Sequence, residues 1–476
     1  MRDKALLRAA ARTRVVLAAA AFLLLFGATV PPAGAQQTVA LPGNPRSLTL
    51  EEAERLLVER NLALVAARRG VDVARAQRLV ASSPPPPQAA IGNTFGQVWE
   101  SGRYGPRILG PNNNLSLGLS IVIERGGKRE LRTRLADEQI GVAEAQVLEA
   151  LRGQVFQLRQ AFLGALLARA NLDVALANRA ALDRTEALLR RQAREGQIPE
   201  GDVVRFQASR PAFEADAATA AQNYAAAVAA LAALLAEDAA AGTGETPTRA
   251  AVRPRTGTLT PTAIAPRGRL DANAVPGVTR EQLVEAAEHR PDVVAAARAA
   301  AAAAANRALA EAGRSRDVTL GLSASRARAD QEVPGGGERA AHLDAAGFTI
   351  SIPIFTGRIV EGNIGIAAAQ QAQAEAQARA ALLSARADVA AAWAAWEQAR
   401  ALRALYDSGA LRRAEEAYAI AERAYLAGGR SLLDVLDALR TLNATRTAAN
   451  QARYSALLAL AMLEQASGVT GLMPRL

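Results

Sequence analysis

The second half of this chain repeats the first, and that duplication restricts the possible folds more than any other feature. Leu48-Thr49-Leu50-Glu51-Glu52 through Arg60-Asn61-Leu62-Ala63-Leu64 aligns with Val278-Thr279-Arg280-Glu281-Gln282 through Arg290-Pro291-Asp292-Val293-Val294 at an offset of 230. Leu119-Ser120-Ile121-Val122-Ile123, followed by Gly126, aligns with Ile350-Ser351-Ile352-Pro353-Ile354, followed by Gly357, at 231, as does Ala143-Glu144-Ala145-Gln146 with Ala374-Glu375-Ala376-Gln377. Gly196 and Asp202 fall on Gly428 and Asp434 at 232. Anchors in the same order, with so little drift, imply one structural unit built twice. The expected organisation is a leader over 1–35, a first repeat over 36–240, a Pro/Gly/Thr-rich connector over 241–277 and a second repeat over 278–476.

Each repeat opens with a helix. Thr49 is placed as an N-cap with Glu51 and Glu52 in the first turn, and Thr279 with Glu281 repeats the arrangement. Pro84 to Pro87 stop the first helix, and Gly313 ends its counterpart. Two strands follow in each repeat, about 88–100 and 115–124 in the first and about 317–328 and 347–355 in the second. Leu115, Leu117, Leu119, Ile121 and Ile123 alternate with small or polar residues, as do Phe348, Ile350, Ile352 and Ile354, a period of two with one apolar face. The links at 101–114 and 329–346, rich in Gly, Pro and Asn, read as exposed loops.

A long Ala/Leu/Arg/Glu stretch comes next in each repeat, Lys128 to Glu195 and Gly362 to Ala427. As one helix it would extend about 100 Å, more than a compact domain accommodates. Each stretch turns at a Gly-containing segment, 196–201 or 428–430, and returns as a helix, Asp202 to Asp238 or Ser431 to Ser467. Spaced Leu and Ala with intervening charge suit an extended antiparallel hairpin of coiled-coil type. The fold class is therefore mainly α with a small β part, a duplicated helix, strand, strand, long helical hairpin.

Composition excludes several functions. With no Cys and only His289 and His342, far apart in sequence, the chain has no thiolate nucleophile, no disulfide and no His/Cys zinc cluster. The net charge of +10 comes almost wholly from Arg interspersed with Glu and Asp, the pattern of a solvated helix face and not of a nucleic-acid footprint. Gly126-Gly127-Lys128-Arg129 lacks the preceding glycine spacing of a phosphate loop. Trp393 and Trp396, three apart on an Ala-rich helix, read as core packing. No cofactor, metal or catalytic residue is expected, and the chain is not expected to be an enzyme.

Export is the first positive inference. A basic start, an apolar run from Val15 to Phe26 and Ala33-Gly34-Ala35 before Gln36 form a secretory signal. The run is short of the roughly 20 residues that a membrane span requires, and no later segment reads as a transmembrane helix. Strands of roughly 10 residues do match a tilted crossing of an outer membrane, yet four strands cannot close, and open edges are forbidden in lipid. Three chains pooling their strands would close a twelve-stranded barrel, which the helical hairpins would continue as a tunnel. The bland alternative is a soluble four-stranded sheet beside a helical bundle.

This order of elements resembles the outer membrane efflux protein family over nearly the whole chain after the leader, from about Leu48 to Gly468. Tyr425-Leu426-Ala427-Gly428-Gly429-Arg430-Ser431-Leu432-Leu433-Asp434-Val435-Leu436-Asp437-Ala438 resembles the family's periplasmic turn before the last helix, and Ser351-Ile352-Pro353-Ile354-Phe355 its strand-to-helix junction. Glu124-Arg125-Gly126-Gly127-Lys128-Arg129 is similar to the junction in the heavy-metal (CzcC-like) branch. The resemblance implies a homotrimeric exit duct of a tripartite system in the outer membrane, with a periplasmic extension. Its partners would be a periplasmic adaptor protein, an inner-membrane RND-type pump and membrane lipid, with no nucleic acid.

By position, Asp434 and Asp437 match the acidic ring of the tunnel constriction, Tyr425 and Arg430 match residues that help hold it shut, and Asp202 matches their carboxylate partner. Gly196, Gly428 and Gly429 lie at turns that resemble the family's adaptor-docking tips. Each has an ordinary structural explanation as well: Asp202 and Asp434 as helix caps, Arg430 as a solvated side chain, Tyr425 as packing beside the turn, and the glycines as chain reversal. Capping does not account for Asp437, and Arg205 stands at its first-repeat position. On the gating reading, Tyr425→Phe with Arg430→Ser raises conductance. The alternatives are the outer-membrane channel of an ABC-driven protein secretion system and, from another class, a periplasmic adaptor or coiled-coil scaffold, which would carry one hairpin and not two.

Overall fold

The computed structural model describes residues 46–96, 112–236, 264–272, 275–332 and 334–476. The expected leader, the end of the first strand and its loop, and most of the connector lie outside these residues.

The first repeat comprises β1 (Arg46–Leu48), α1 (Leu50–Arg60), α2 (Leu62–Ser82), β2 (Gln88–Gly96), β3 (Asn112–Ile123), α3 (Lys128–Arg194) and α4 (Glu200–Leu234). After β4 (Ile264–Pro266), the second comprises α5 (Arg280–Ala287), α6 (Pro291–Ala312), β5 (Val318–Glu332), β6 (Glu338–Ser351) and α7 (Gly357–Leu405). A five-residue π turn (Tyr406–Ala410), α8 (Leu411–Leu426) and α9 (Leu432–Ser467) complete it.

The two repeats open on the same local chemistry. Thr49 and Thr279 each form a capping box, with Glu52 and Gln282 respectively, and share the same N-cap backbone angles. In a capping box the N-cap hydroxyl accepts from the third helical N–H while that residue's side chain reaches back to the N-cap N–H. The expected single opening helix is two in each repeat. Asn61 breaks the first: it ends α1 in an extended conformation, and its side-chain oxygen accepts from the Leu64 N–H to start α2. Arg290 occupies that place in the second repeat, followed by Pro291 at the first helical position, where its missing N–H has no helical partner to lose.

The strands form one antiparallel sheet in the order β2-β3-β5-β6. A separate parallel pair, β1 with β4, ties the start of the first repeat to the connector. β6 begins nine residues before its expected start, and most of the expected 329–346 loop is strand, turning only around Gly335, Gly336 and Gly337, all at positive φ. The segment from Glu338 to Ala346 has a single large apolar residue, Leu343, where Phe348 to Ile354 has four, so periodicity alone missed it. Ladder pairing with β5 holds it, together with the Arg326–Asp344 ion pair at 2.6 Å.

α3 runs unbroken for 67 residues, about 100 Å at the helical rise. Its counterpart is interrupted, contrary to expectation, by the π turn, where Gly409 has φ 126°. That turn is secured at three points: Arg403, buried, donates to the carbonyls of Asp271 and Ala272 at 2.6 Å and to Asp407 at 3.1 Å, and Arg453 donates to Asp407 at 2.9 Å. Hydrogen bonds from Arg403 thereby latch the second hairpin to the connector.

By length and composition α4 is apolar enough to cross a membrane, contrary to the sequence expectation that nothing after the leader is. It packs along α3 through Phe206, Phe213, Tyr224, Val228 and Leu231. Two apolar cores result. The larger joins Leu57, Leu64, Leu158, Phe162, Leu231, Val389, Trp396 and Leu457, where the helices of both repeats meet. Trp396 is buried there with the Trp393 ring 5.0 Å away, as the core reading of that pair anticipated. The smaller joins Leu182, Leu189, Phe206, Phe213, Leu432, Leu436 and Leu439 near the hairpin tips.

Candidate functional site

The sheet has one apolar face that nothing covers. Register places Ile91, Leu117 and Ala324 in one row, Leu119, Leu322 and Phe348 in the next, and Ile121, Leu320 and Ile350 beyond them. Leu115, Leu117, Leu119, Ile121 and Ile123 are exposed, as are Ile91, Leu322, Phe348 and Ile350. A patch this continuous is an interaction surface, because monomeric soluble proteins rarely leave one in water. The opposite face carries Ser116, Gly118, Ser120, Gly321, Ser323 and Thr349, small and uncharged. Gly92 and Gly347 make room there: a Cβ at either would stand 2.7 or 2.8 Å from the Ser116 or Ser323 hydroxyl of the adjacent strand.

β2 and β6 each leave one edge unpaired, and four antiparallel strands preserve alternation when copies are added edge to edge. The sheet thus presents one apolar face, a small, hydroxyl-bearing opposite face and two free edges.

At the far end of the hairpins both turns share one design. Gly196 and Gly428 take φ 70° and 76°, and the next residue's N–H reaches back to a carbonyl five residues earlier, Gln197 to Gln192 and Gly429 to Ala424, each at 2.9 Å. This is a Schellman-type helix end, in which only glycine takes the left-handed position without steric cost. The chain-reversal reading of Gly196 and Gly428 therefore has a direct structural basis.

Asp434 closes a capping box with Ser431, accepting from the Ser431 N–H and hydroxyl at 3.1 Å each. Asp202 does not cap its helix: Pro199 is the N-cap of α4 and makes no side-chain bond. Asp437 and Arg430 are exposed, and neither has an ion-pair or hydrogen-bond partner among the described residues. The structure thus brings Asp202 close enough to Tyr425 for its charge to be felt there, and joins Arg430 to neither by an ion pair or hydrogen bond. Burial, and then the Asp202 charge, push the Tyr425 phenol above its usual range. No hydrogen bond joins them; the Tyr425 hydroxyl is buried and has no partner among the described residues.

What joins the tips is apolar. Phe206 of α4, 1% exposed, packs in the smaller core with Leu182 and Leu189 of α3 and Leu432, Leu436 and Leu439 of α9, and Tyr425 lies against its edge. Beside it, buried Glu186 binds Arg190 at 2.7 Å, Gln207 at 3.0 Å and Arg210, fastening α3 to α4. Sequence reasoning missed Phe206 and Glu186. The signal for Phe206 was its position, a large aromatic four residues after Asp202 in an otherwise Ala-rich helix.

Residues 283–469 match the sequence model of the outer membrane efflux protein family. The match spans most of the second repeat. Likeness to solved outer membrane efflux folds extends over both repeats. CusC, described for conformational changes accompanying folding and transmembrane channel formation, is 20% identical with a TM-score of 0.66, over 93% of this chain and 99% of its own. The outer membrane protein VceC from Vibrio cholerae is 22% identical with a TM-score of 0.63, over 88% and 96%. The outer membrane channel MtrE from Neisseria gonorrhoeae, in its open state, is 21% identical with a TM-score of 0.64, over 94% and 99%. A comparison with curated proteins finds no match. The outer membrane efflux family and these relatives are channel proteins of the outer membrane, not enzymes. Among the described residues no group of three or more His, Cys, Asp or Glu is placed to hold a metal ion.

Proposed function

We propose that the protein is the outer-membrane exit duct of a tripartite efflux system, passively conducting small molecules or metal ions exported by an RND-type pump through a periplasmic adaptor. The observation that carries this reading is the four-stranded sheet with one exposed apolar face and two free edges. Such a sheet is stable in lipid only when its edges are closed by other copies. Three copies give twelve strands, within the range of outer-membrane barrels.

In this reading the sheet's inner face, small and uncharged through its central rows, discriminates little by charge there, and the tips govern passage. Three chains bring Asp434 and Asp437 towards one axis, where concentrated carboxylates favour cations. Asp202, Tyr425 and Arg430 surround the constriction, and Gly196, Gly428 and Gly429 shape the tips that meet the adaptor. Closure within one chain rests on the Phe206 core, and Arg430, without a partner among the described residues, is available to pair with a neighbouring subunit. The energy for transport comes from the pump.

Cross-linking of the membrane-extracted protein tests the assembly. A limiting trimer in the outer-membrane fraction is expected, whereas a monomer in the soluble periplasmic fraction would favour the scaffold reading.

A further inference from the structure

The junction between strands and helices carries charge that the duct does not use. Three loops meet there. A Cβ on Gly126 would stand 2.7 Å from the Ser315 Cβ, and one on Gly313 would stand 4.0 Å from Val360, so 124–128, 313–317 and the start of α7 form one cluster. Its acids other than Glu361 are already occupied. Glu124 is bound by Arg132, Asp317 by Lys128 at 2.8 Å and by the Arg125 N–H at 3.0 Å, and Glu130 by Arg129 at 3.2 Å. Arg125, Arg314, Arg316 and Arg358 remain, all exposed and without an ion-pair or side-chain hydrogen-bond partner among the described residues. Glu361, one turn beyond Arg358, does not pair with it either.

These arginines adjoin the apolar face. Ile123 pairs with Val318 in the last row of the β3–β5 ladder, and two residues outward in the same register come Arg125 and Arg316. Phe355 lies at the end of β6's apolar run, 91% exposed and at φ 58°, a backbone region that a non-glycine residue rarely adopts. An uncovered aromatic ring next to unpaired guanidinium groups, at the edge of an apolar band, matches a hydrocarbon–headgroup boundary in both polarity and charge.

Granting the membrane-embedded barrel proposed above, the geometry points to this junction as a belt that binds the anionic headgroups of phospholipids in the leaflet nearest the helices. Arg125, Arg316 and Arg358 are its phosphate-binding groups, and Phe355 is its anchor. Guanidinium suits the task because its planar fork pairs with two phosphate oxygens and is weakly hydrated. Clustered basic residues at a membrane surface favour anionic lipid for the same electrostatic reason.

The test is lipid selectivity of the full-length channel in phosphatidylcholine vesicles, read as motionally restricted spin-labelled phosphatidylglycerol relative to spin-labelled phosphatidylcholine. We expect a preference of about twofold or more for the anionic lipid. It should fall to parity in R125Q/R316Q/R358Q, persist in R125K/R316K/R358K, and persist in R326Q, whose arginine lies at the other end of the sheet. Parity in the wild type, or an undiminished preference in the glutamine variant, would overturn the belt while leaving the barrel standing. Loss of the preference in inorganic phosphate, but not in chloride at matched ionic strength, would identify a free-anion site and also overturn it. If no restricted lipid appeared at all, the membrane reading itself would fall, and the belt with it.

Discussion

Asn61 donates from Nδ2 to the carbonyl of Leu234 at 2.9 Å, so the residue that begins α2 also satisfies the end of α4. The last carbonyls of a helix lack intrahelical partners. A side chain that caps one helix while serving the end of another ties the start of α2 to the end of α4 beside the long α3. Asn61 also donates to Gln154 of α3 at 3.1 Å, which fixes the joint sideways. The second repeat solves the same problem with a different residue: Arg290 donates to the Ala466 carbonyl at 3.0 Å, to Asp388 at 2.9 Å and to Asp292.

Asn61→Ala should therefore lower stability by about 1–3 kcal/mol, combining a lost cap with a buried carbonyl left without its donor. Asn61→Asp retains the acceptor for Leu64 but places a carboxylate against the Leu234 carbonyl, so it should not rescue the loss. Denaturant unfolding of the purified protein, followed by helical signal, measures both.

At the tips, Phe206→Ala should remove about 3–5 kcal/mol of local packing. It should raise closed-state conductance. Tyr425→Phe should leave that conductance nearly unchanged, because the hydroxyl it removes has no partner. This revises the sequence expectation, which gave Tyr425 a polar role. Any opening by Arg430→Ser must then act through a neighbouring chain. Single-channel recordings of the three variants separate these contributions.

The π turn should be acid-sensitive. Burial alone would raise the Asp407 carboxyl, but hydrogen bonds from Arg453 and Arg403 outweigh it and hold the group below its ordinary value of 3.8. Asp292 behaves likewise, with burial outweighed by Arg290. A carboxyl depressed in the folded state contributes stability above its unfolded value, and that contribution is lost as pH falls through the folded value. Thermal melts should therefore drop steeply below about pH 4, and Asp407→Asn should flatten part of that fall.

Arg403→Met should free the connector by leaving the Asp271 and Ala272 carbonyls without their donor. A cost of about 2 kcal/mol is expected. Limited proteolysis near residues 264–272 should accelerate, while cleavage within α3 stays slow.

The duplication, the four strands and both hairpins could be read from the sequence because each rests on strong local patterns: Thr caps, alternating Leu and Ile, and glycine at the turns. The break at Asn61 was hidden because an asparagine amid helix formers carries no period of its own, and its effect depends on Leu234 and Gln154, distant in sequence. The extension of β6 through Ala340, Ala341 and Ala345 depends on cross-strand partners in the same way. Among candidate gate residues, the capping explanation offered for both Asp202 and Asp434 holds for Asp434 and fails for Asp202. The difference lies in Ser431, which supplies a capping hydroxyl where the first repeat has Pro199. The Phe206 core needed three helices brought together before it became visible.

The most direct test of the gated duct is single-channel conductance of the detergent-solubilised protein in planar bilayers, with divalent cations titrated from the side of the helical tips. Asp437→Ala is the informative variant, since Asp437 is exposed and bonded to nothing among the described residues, whereas Asp434→Ala also removes a cap. The account predicts small, cation-selective openings blocked by divalents, with the block weakened in Asp437→Ala. Absence of conductance from protein correctly assembled in the membrane, or a divalent block unchanged by Asp437→Ala, would contradict it.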